Sequence, residues 1–354
     1  MKMSKRDRRI WRVVLWLSLG SALISAIYGY QATDMPLHGI ATGIASSLCI
    51  ATPIILFEVW GQKLAIIRRL KRLPLIVYFA LRVAFYVLVI IVGLLVARSL
   101  FAGPFEFEDI FHGSFSFAIA MSVLTNLAIE IGYLLGFRTL RDLFTGRYVR
   151  PRRESRAFLL IDMKNSTGIA ERLGPILFHE LLNDFFRDVA DAALETGAEI
   201  HKYVGDEAIL TWPLERAMED GACVACPFMA RAMIRRNSQA YRARFGVVPT
   251  FRAALHCGEI VAGQIGDVRR EIAYVGDTLN TTARLLDAAK TTGHDVLVST
   301  DLLRQVTLPV DLRAEPLPTL EVRGRSAPLA IAALREISAL DGEAIEQAAQ
   351  DALG

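Results

Sequence analysis

Residues 156–168 read RAFLLIDMKNSTG, an apolar run that ends in Asp162 and passes at once into small polar residues. A continuous apolar run of this length predicts a buried strand from Arg156 to Asp162. Asp162 then falls where the chain leaves the sheet. Asn165, Ser166 and Thr167 follow, residue types that open helices, whose exposed backbone N–H groups bind phosphate. Further on, HKYVGDEAIL at 201–210 predicts a hairpin with Gly205-Asp206 at its tip. If these strands are neighbours, Asp162 and Asp206 converge at one sheet edge. Two such carboxylates suit a hard divalent cation, because Mg²⁺ is usually held by one or two carboxylates plus substrate phosphates. Taken singly, each element is also ordinary turn chemistry, since Asp and Gly are common in hairpin tips.

The surrounding sequence alternates strands and helices. After the first strand a helix is expected from about Pro175 to Leu194, then the hairpin Ile200–Val204 and Glu207–Trp212. A long helix from about Leu214 to Arg244 precedes a strand at Phe251–Ala262. A strand at Glu271–Val275, a helix at Thr278–Ala289, a strand at Asp295–Ser299 and terminal strands near Leu320 and at Leu329–Leu334 complete the set. Helices packed on one sheet with hairpins among the strands give an α+β sandwich. Cys223 and Cys226 form a C-x-x-C inside an amphipathic helix with no second Cys or His pair nearby, which favours core packing over metal or redox work. His201 and His256 lie in strands and are expected to be structural.

The chain has 354 residues, is 53% hydrophobic and 22% charged, and carries a formal net charge of +3; its mean hydropathy is +0.35. This composition excludes a disordered chain. The near balance of charge gives no support to nucleic-acid binding, and four Cys without dense spacing exclude a disulfide scaffold. The hydropathy is too high for two soluble domains, and the apolar residues are concentrated before Phe137. Four runs reach the roughly 20 residues needed to span a bilayer: Trp11–Tyr30, Ile40–Trp60, Leu75–Ala97 and Phe115–Gly136. Cations cluster at Lys2–Arg9, Lys63–Arg72 and Arg138–Arg150, and acids at Asp34 and Glu106–Asp109. Positive charge is retained inside, so both the N-terminus and the C-terminal half are expected in the cytoplasm, at the cell membrane. Arg82, a turn or two from the interface, is expected to snorkel; Glu130 suits a sensing or proton-responsive site as well as an interfacial one. Gly39 with Gly43, and Gly132 with Gly136, have small-xxx-small spacing, a weak sign of dimerisation. The expected division is a four-helix membrane domain at 1–136, an amphipathic connector at 137–155, a catalytic domain at 156–335 and a solvent-facing tail at 336–354. The helices could detect a ligand, a lipid or a proton, or only tether the chain.

Three ordered segments resemble the catalytic motifs of class III nucleotidyl cyclases: FLLIDMKNST, the hairpin Lys202–Glu207, and YVGDTLNTTAR at 274–284. The resemblance covers residues 156–335, and TGRYVRP in the connector is similar to membrane-bound bacterial members. It implies a ferredoxin-like βαββαβ core and cyclisation of a nucleoside triphosphate with release of pyrophosphate. It further implies two Mg²⁺ or Mn²⁺ ions per site on Asp162 and Asp206, with Asn280 orienting the ribose and Arg284 stabilising transition-state charge. The i, i+4 spacing of Asn280 and Arg284 places them on one helical face. Arg323, in VRG, sits where the family often grips the terminal phosphates. Lys202 matches the lysine that donates to adenine N1 in adenylate-forming members, so ATP is the implied substrate; the alternatives are a guanylate or dual-specificity cyclase and a non-catalytic membrane receptor with a cyclase-like interaction module. The partnering position is Ala273, where those members usually carry Asp or Thr, and Ala cannot accept the adenine amino hydrogen. The family completes each site between two catalytic domains, and this chain has one, so the resemblance implies a homodimer.

Overall fold

The computed structural model describes residues 5–32, 35–60, 70, 73–100, 137–268, 270–321 and 328–337, with isolated positions between 116 and 132. The chain divides into two compact units, Met1–Arg141 and Asp142–Gly354.

In the first unit, α1 (Lys5–Ala32), α2 (Pro36–Trp60) and α3 (Leu75–Leu100) contain apolar windows at Val14–Gln31, Pro36–Glu58 and Ile76–Ala97, each long and apolar enough to cross a membrane. The expected fourth span, with Glu130, lies for the most part outside the described residues. Small residues bring the helices together: a Cβ at Gly43 would strike the Ser25 carbonyl, and one at Gly93 would strike Ile50. Gly43 therefore serves packing of α1 on α2 within the chain, a use of small residues typical of helices in lipid. Ser21 and Ser47 hydrogen bond across the same contact at 2.8 Å.

Arg82 departs from the snorkelling expectation. It is buried and paired with Glu58 of α2 at 2.6 Å, and the Tyr86 hydroxyl donates to the same carboxylate. A countercharge on the neighbouring helix neutralises the guanidinium charge in place, which removes the need to reach water. Breaking a buried pair on one side costs about 3–5 kcal/mol, whereas replacing both members by apolar residues is often neutral. Arg82→Leu is thus expected to lower the thermal stability of the detergent-solubilised protein more than the double variant Glu58→Leu/Arg82→Leu. A double variant no more stable than the single one would remove the pairing from this role.

The short amphipathic helix α4 (Phe137–Phe144) runs across the boundary at Arg141, and the second unit is built on an eight-stranded sheet. Strand β1 (Arg152–Met163) leads into α5 (Ser166–Thr196), and β2 (Glu199–Val204) turns into β3 (Glu207–Pro213). After α6 (Leu214–Met218), α7 (Ala222–Arg236) and α8 (Ser238–Phe245) come β4 (Phe251–Ile265), β5 (Glu271–Val275) and α9 (Asp277–Thr292). Strand β6 (Val296–Ser299), α10 (Thr300–Leu303), β7 (Leu312–Leu320) and β8 (Leu329–Glu336) close the chain. The sheet order is β2-β3-β1-β4-β6-β8-β7, with β5 paired to β4. Each neighbouring pair in the run β2-β3-β1-β4 is antiparallel, which is the split βαβ arrangement of a ferredoxin-like core.

Burial on both faces explains the continuous apolar run of β1. Ala157, Leu159, Ile161 and Met163 pack under α5 and α7, while Phe158 and Leu160 pack against Leu285 and Leu286 of α9 on the other face. Helices therefore cover both faces of the sheet. Three other expectations change in detail. Helix α5 begins at Ser166 and kinks at Gly174, because Pro175 is well accommodated at the start of the second segment. The expected helix 214–244 is broken at Asp220-Gly221 and Asn237, residue types that interrupt helices. Strand β1 also starts at Arg152, since Arg152–Ser155 pair with Glu259–Ala262 of β4.

Candidate active site

Asp162 stands opposite Glu207 in the β1–β3 register, one residue beyond the hairpin turn. Gly205 at the tip has φ +62°, which glycine adopts without steric cost. The tip is fastened to β1 by the Met163 N–H, which donates to the Asp206 carbonyl at 3.4 Å. Asp162 and Asp206 are thus brought together, as the sequence predicts. Burial raises the Asp162 pKa first, and the Asp206 charge raises it further. Lys290 of α9 is the local countercharge, its ammonium 3.8 Å from Asp162 and 3.0 Å from Asp287.

Oxygen donors of like charge at one edge are the chemistry that Mg²⁺ or Mn²⁺ accepts. Among the described residues no group of three or more His, Cys, Asp or Glu side chains forms a closed metal cage. The donor set fits a cation that completes its shell with water and substrate oxygens. Asn165 adopts a left-handed conformation, φ +53°, at the N-cap of α5, and Ser166 and Thr167 form its first turn. Three residues of chain separate this turn from Asp162, so its backbone N–H groups belong to the same end of the sheet.

Asn280 and Arg284 lie on α9, which starts at Gly276 with φ +153°. A Cβ at Gly276 would press on the Glu259 carbonyl at 3.2 Å, so glycine permits the helix to start against β4. Thr278 donates to the Glu259 carbonyl at 2.8 Å, and Thr281 and Thr282 are fully buried. This anchored face turns Asn280 outward. Along a helix rising about 1.5 Å per residue, Arg284 is about 9 Å and Asn280 about 15 Å from Lys290, the α9 residue beside Asp162. Asn280 and Arg284 thus lie farther along α9 from the acid pair than Lys290 does. Arg323 lies outside the described residues.

Lys202 is exposed on the edge strand β2, its ammonium 3.9 Å from Glu271 of β5. The two strands also meet where His201 stacks on Tyr274, with centroids 4.5 Å apart. Burial pushes the His201 pKa down to about 4, so the ring is neutral near pH 7. Beneath this contact Arg156 is fully buried, bonded to Glu199 at 2.7 Å and Glu154 at 2.9 Å, and lies 4.9 Å from the Tyr274 ring centroid. Tyr148 donates to Glu154 at 3.1 Å. Sequence reading missed this network; its signal was a charged residue opening an apolar strand. Cys223 and Cys226 sit in the core with thiol pKa values pushed up to about 12 by burial, which leaves no reactive thiolate.

The family model for the adenylate and guanylate cyclase catalytic domain matches residues 149–331. The chain belongs to this cyclase family. It is 43% identical over 218 residues to "Adenylate cyclase 2" of Rhizobium meliloti (strain 1021), covering 62% of this chain and 60% of that protein. It is 24% identical over 178 residues to an "Adenylate cyclase" of Anabaena cylindrica, covering 49% and 35%. The chain thus spans less than two thirds of the length of either relative. A solved bacterial light-regulated adenylyl cyclase shares the fold, with a TM-score of 0.53 at 13% identity over 62% of this chain and 64% of that one.

Glu207 is a further acid at this cyclase-type site that the sequence did not single out. Burial, then the Asp162 charge, pushes its pKa up to about 7 from an ordinary 4.5. A raised carboxyl pKa means the folded state binds its proton more tightly, so this stabilisation is full below 4.5 and is lost as pH rises through about 7. The thermal midpoint of metal-free protein is expected to fall between about pH 5 and pH 8. Glu207→Gln should flatten the profile, and added Mg²⁺ or Mn²⁺ should restore stability at the upper end. Parallel profiles for the two proteins would contradict this assignment.

Proposed function

We propose that this chain is a membrane-anchored adenylate cyclase that converts ATP into 3′,5′-cyclic AMP and pyrophosphate at sites completed between two copies. The reading rests first on the adjacency of Asp162 and Asp206, and the 43% identical relative named an adenylate cyclase supports it. The ribose 3′-oxygen attacks the α-phosphorus in line, the bond from that phosphorus to the bridging oxygen breaks, and the 3′-hydroxyl proton passes to solvent. Asp162 and Asp206 would hold two Mg²⁺ or Mn²⁺ ions, and such ions would supply activation of the attacking oxygen and charge neutralisation on the phosphates. The α5 N-terminus, with Asn165, Ser166 and Thr167, presents N–H groups to the phosphates.

From the second copy, Lys202 donates to adenine N1, Asn280 orients the ribose, and Arg284 meets the charge developing at phosphorus with its planar donor fork. Arg323 grips the terminal phosphates. The separation of Asn280 and Arg284 from Lys290 along α9 favours this division between copies. Residues 1–136 form the membrane domain, 137–155 the connector and 156–335 the catalytic domain, with 336–354 a tail. The cation clusters favour an N-terminus and catalytic domain in the cytoplasm. The absence of an acceptor at Ala273 favours a looser base choice than strict ATP use, so GTP is the competing substrate.

Purified full-length protein supplied with Mg²⁺ or Mn²⁺ is expected to turn over ATP in preference to GTP. Asp206→Asn should lower turnover by about a hundredfold or more, because it removes a charge that holds the cations, while circular dichroism and oligomeric state stay unchanged. Unaltered output from that variant would refute the metal role, and preference for GTP would refute the use made of Lys202.

A further inference from the structure

The adenine edge presents an acceptor at N1 beside a donor at N6, so a complementary protein edge needs a donor beside an acceptor. Lys202 supplies only the donor, and Ala273 supplies no acceptor. The missing group is nearby. Glu271 Oε1 lies 3.9 Å from Lys202 Nζ, and both side chains are about half exposed at the surface where the base would arrive. Glu271 and Ala273 are two apart on β5, opposite Ile265 and Gly263 of β4. Alternate residues of a strand share a face, so the Glu271 carboxylate starts from the same side as the methyl of Ala273. Its longer side chain brings the oxygens toward Lys202. The His201–Tyr274 stack holds β5 against β2 and fixes the two partners in place.

We propose that Glu271 accepts the adenine 6-amino hydrogen in place of the side chain missing at Ala273, so that Lys202 and Glu271 form the base-reading pair. This rests on the adenylate cyclase reading. It makes Glu271 a specificity-determining residue.

The test compares ATP with purine riboside triphosphate, which lacks the 6-amino group, and GTP with inosine triphosphate, using full-length protein. A hydrogen bond to a charged group corresponds to about a ten- to hundredfold preference for ATP over the analogue in kcat/KM. Glu271→Ala should bring that ratio near one, Glu271→Gln should retain part of it through its amide oxygen, and Glu271→Ala/Ala273→Asp should recover it. If Glu271 only neutralises Lys202, Glu271→Ala will change ATP and its analogue equally, which overturns the proposal. A loss confined to GTP against inosine triphosphate would assign Glu271 to guanine and overturn it too. Binding of the 3′-deoxy forms of ATP and of the analogue, measured by calorimetry, reads the same ratio without turnover. Protein that binds with this ratio yet forms no cyclic product would refute the adenylate cyclase reading and leave the base pair standing.

Discussion

Everything at the candidate site depends on the burial of β1 between β3 and β4 with helices above and below. Each large apolar side chain taken out of water contributes about 1.5–3 kcal/mol, and Phe158, Leu159, Leu160 and Ile161 are all essentially fully buried. A strand held on both faces and both edges cannot slip by one residue without exchanging every side chain between faces. That constraint fixes Asp162 at the end of the strand, in register with Glu207 and beside the Asp206 turn. The placement of this carboxylate pair in the cyclase-family domain is therefore a consequence of core packing.

The other end of β1 has a different function. Arg156 is the one fully buried guanidinium among the described residues of this unit, and it joins β1, β2 and the ring of Tyr274 on β5 through Glu154, Glu199 and a cation–π contact. Tyr148, in the segment that follows α4, shares Glu154 with it. The strands that carry Lys202 and Glu271 are thus tied to the entry of the chain into the domain.

Much of this was legible in the sequence, for local reasons. The β1 run, the Gly205-Asp206 turn and the α9 segment are written in short-range patterns, and their elements form within four residues of the expected limits. What escaped reading depends on neighbours distant in the chain. Glu207 and Lys290 look like ordinary charged residues until β3 and α9 meet at Asp162. Glu58 attracts no notice until Arg82 is placed beside it, and Glu271 gains meaning only when β5 lies against β2. The Gly174 kink was missed because Pro175 reads equally well as the start of a helix, which it is, after an earlier helical segment from Ser166.

The division of one site between two copies is tested most directly by mixing subunits. Asp206→Asn and Arg284→Ala chains, each carrying a different affinity tag, would be co-expressed and the doubly tagged pairs isolated. Each variant alone should be nearly inactive, whereas a mixed pair retains one site with both an intact acid pair and an intact guanidinium. Isolated mixed pairs are then expected to recover about half the wild-type turnover per dimer, following the two-fold symmetry of the arrangement. Mixed pairs as inactive as their parents would contradict the shared-site account.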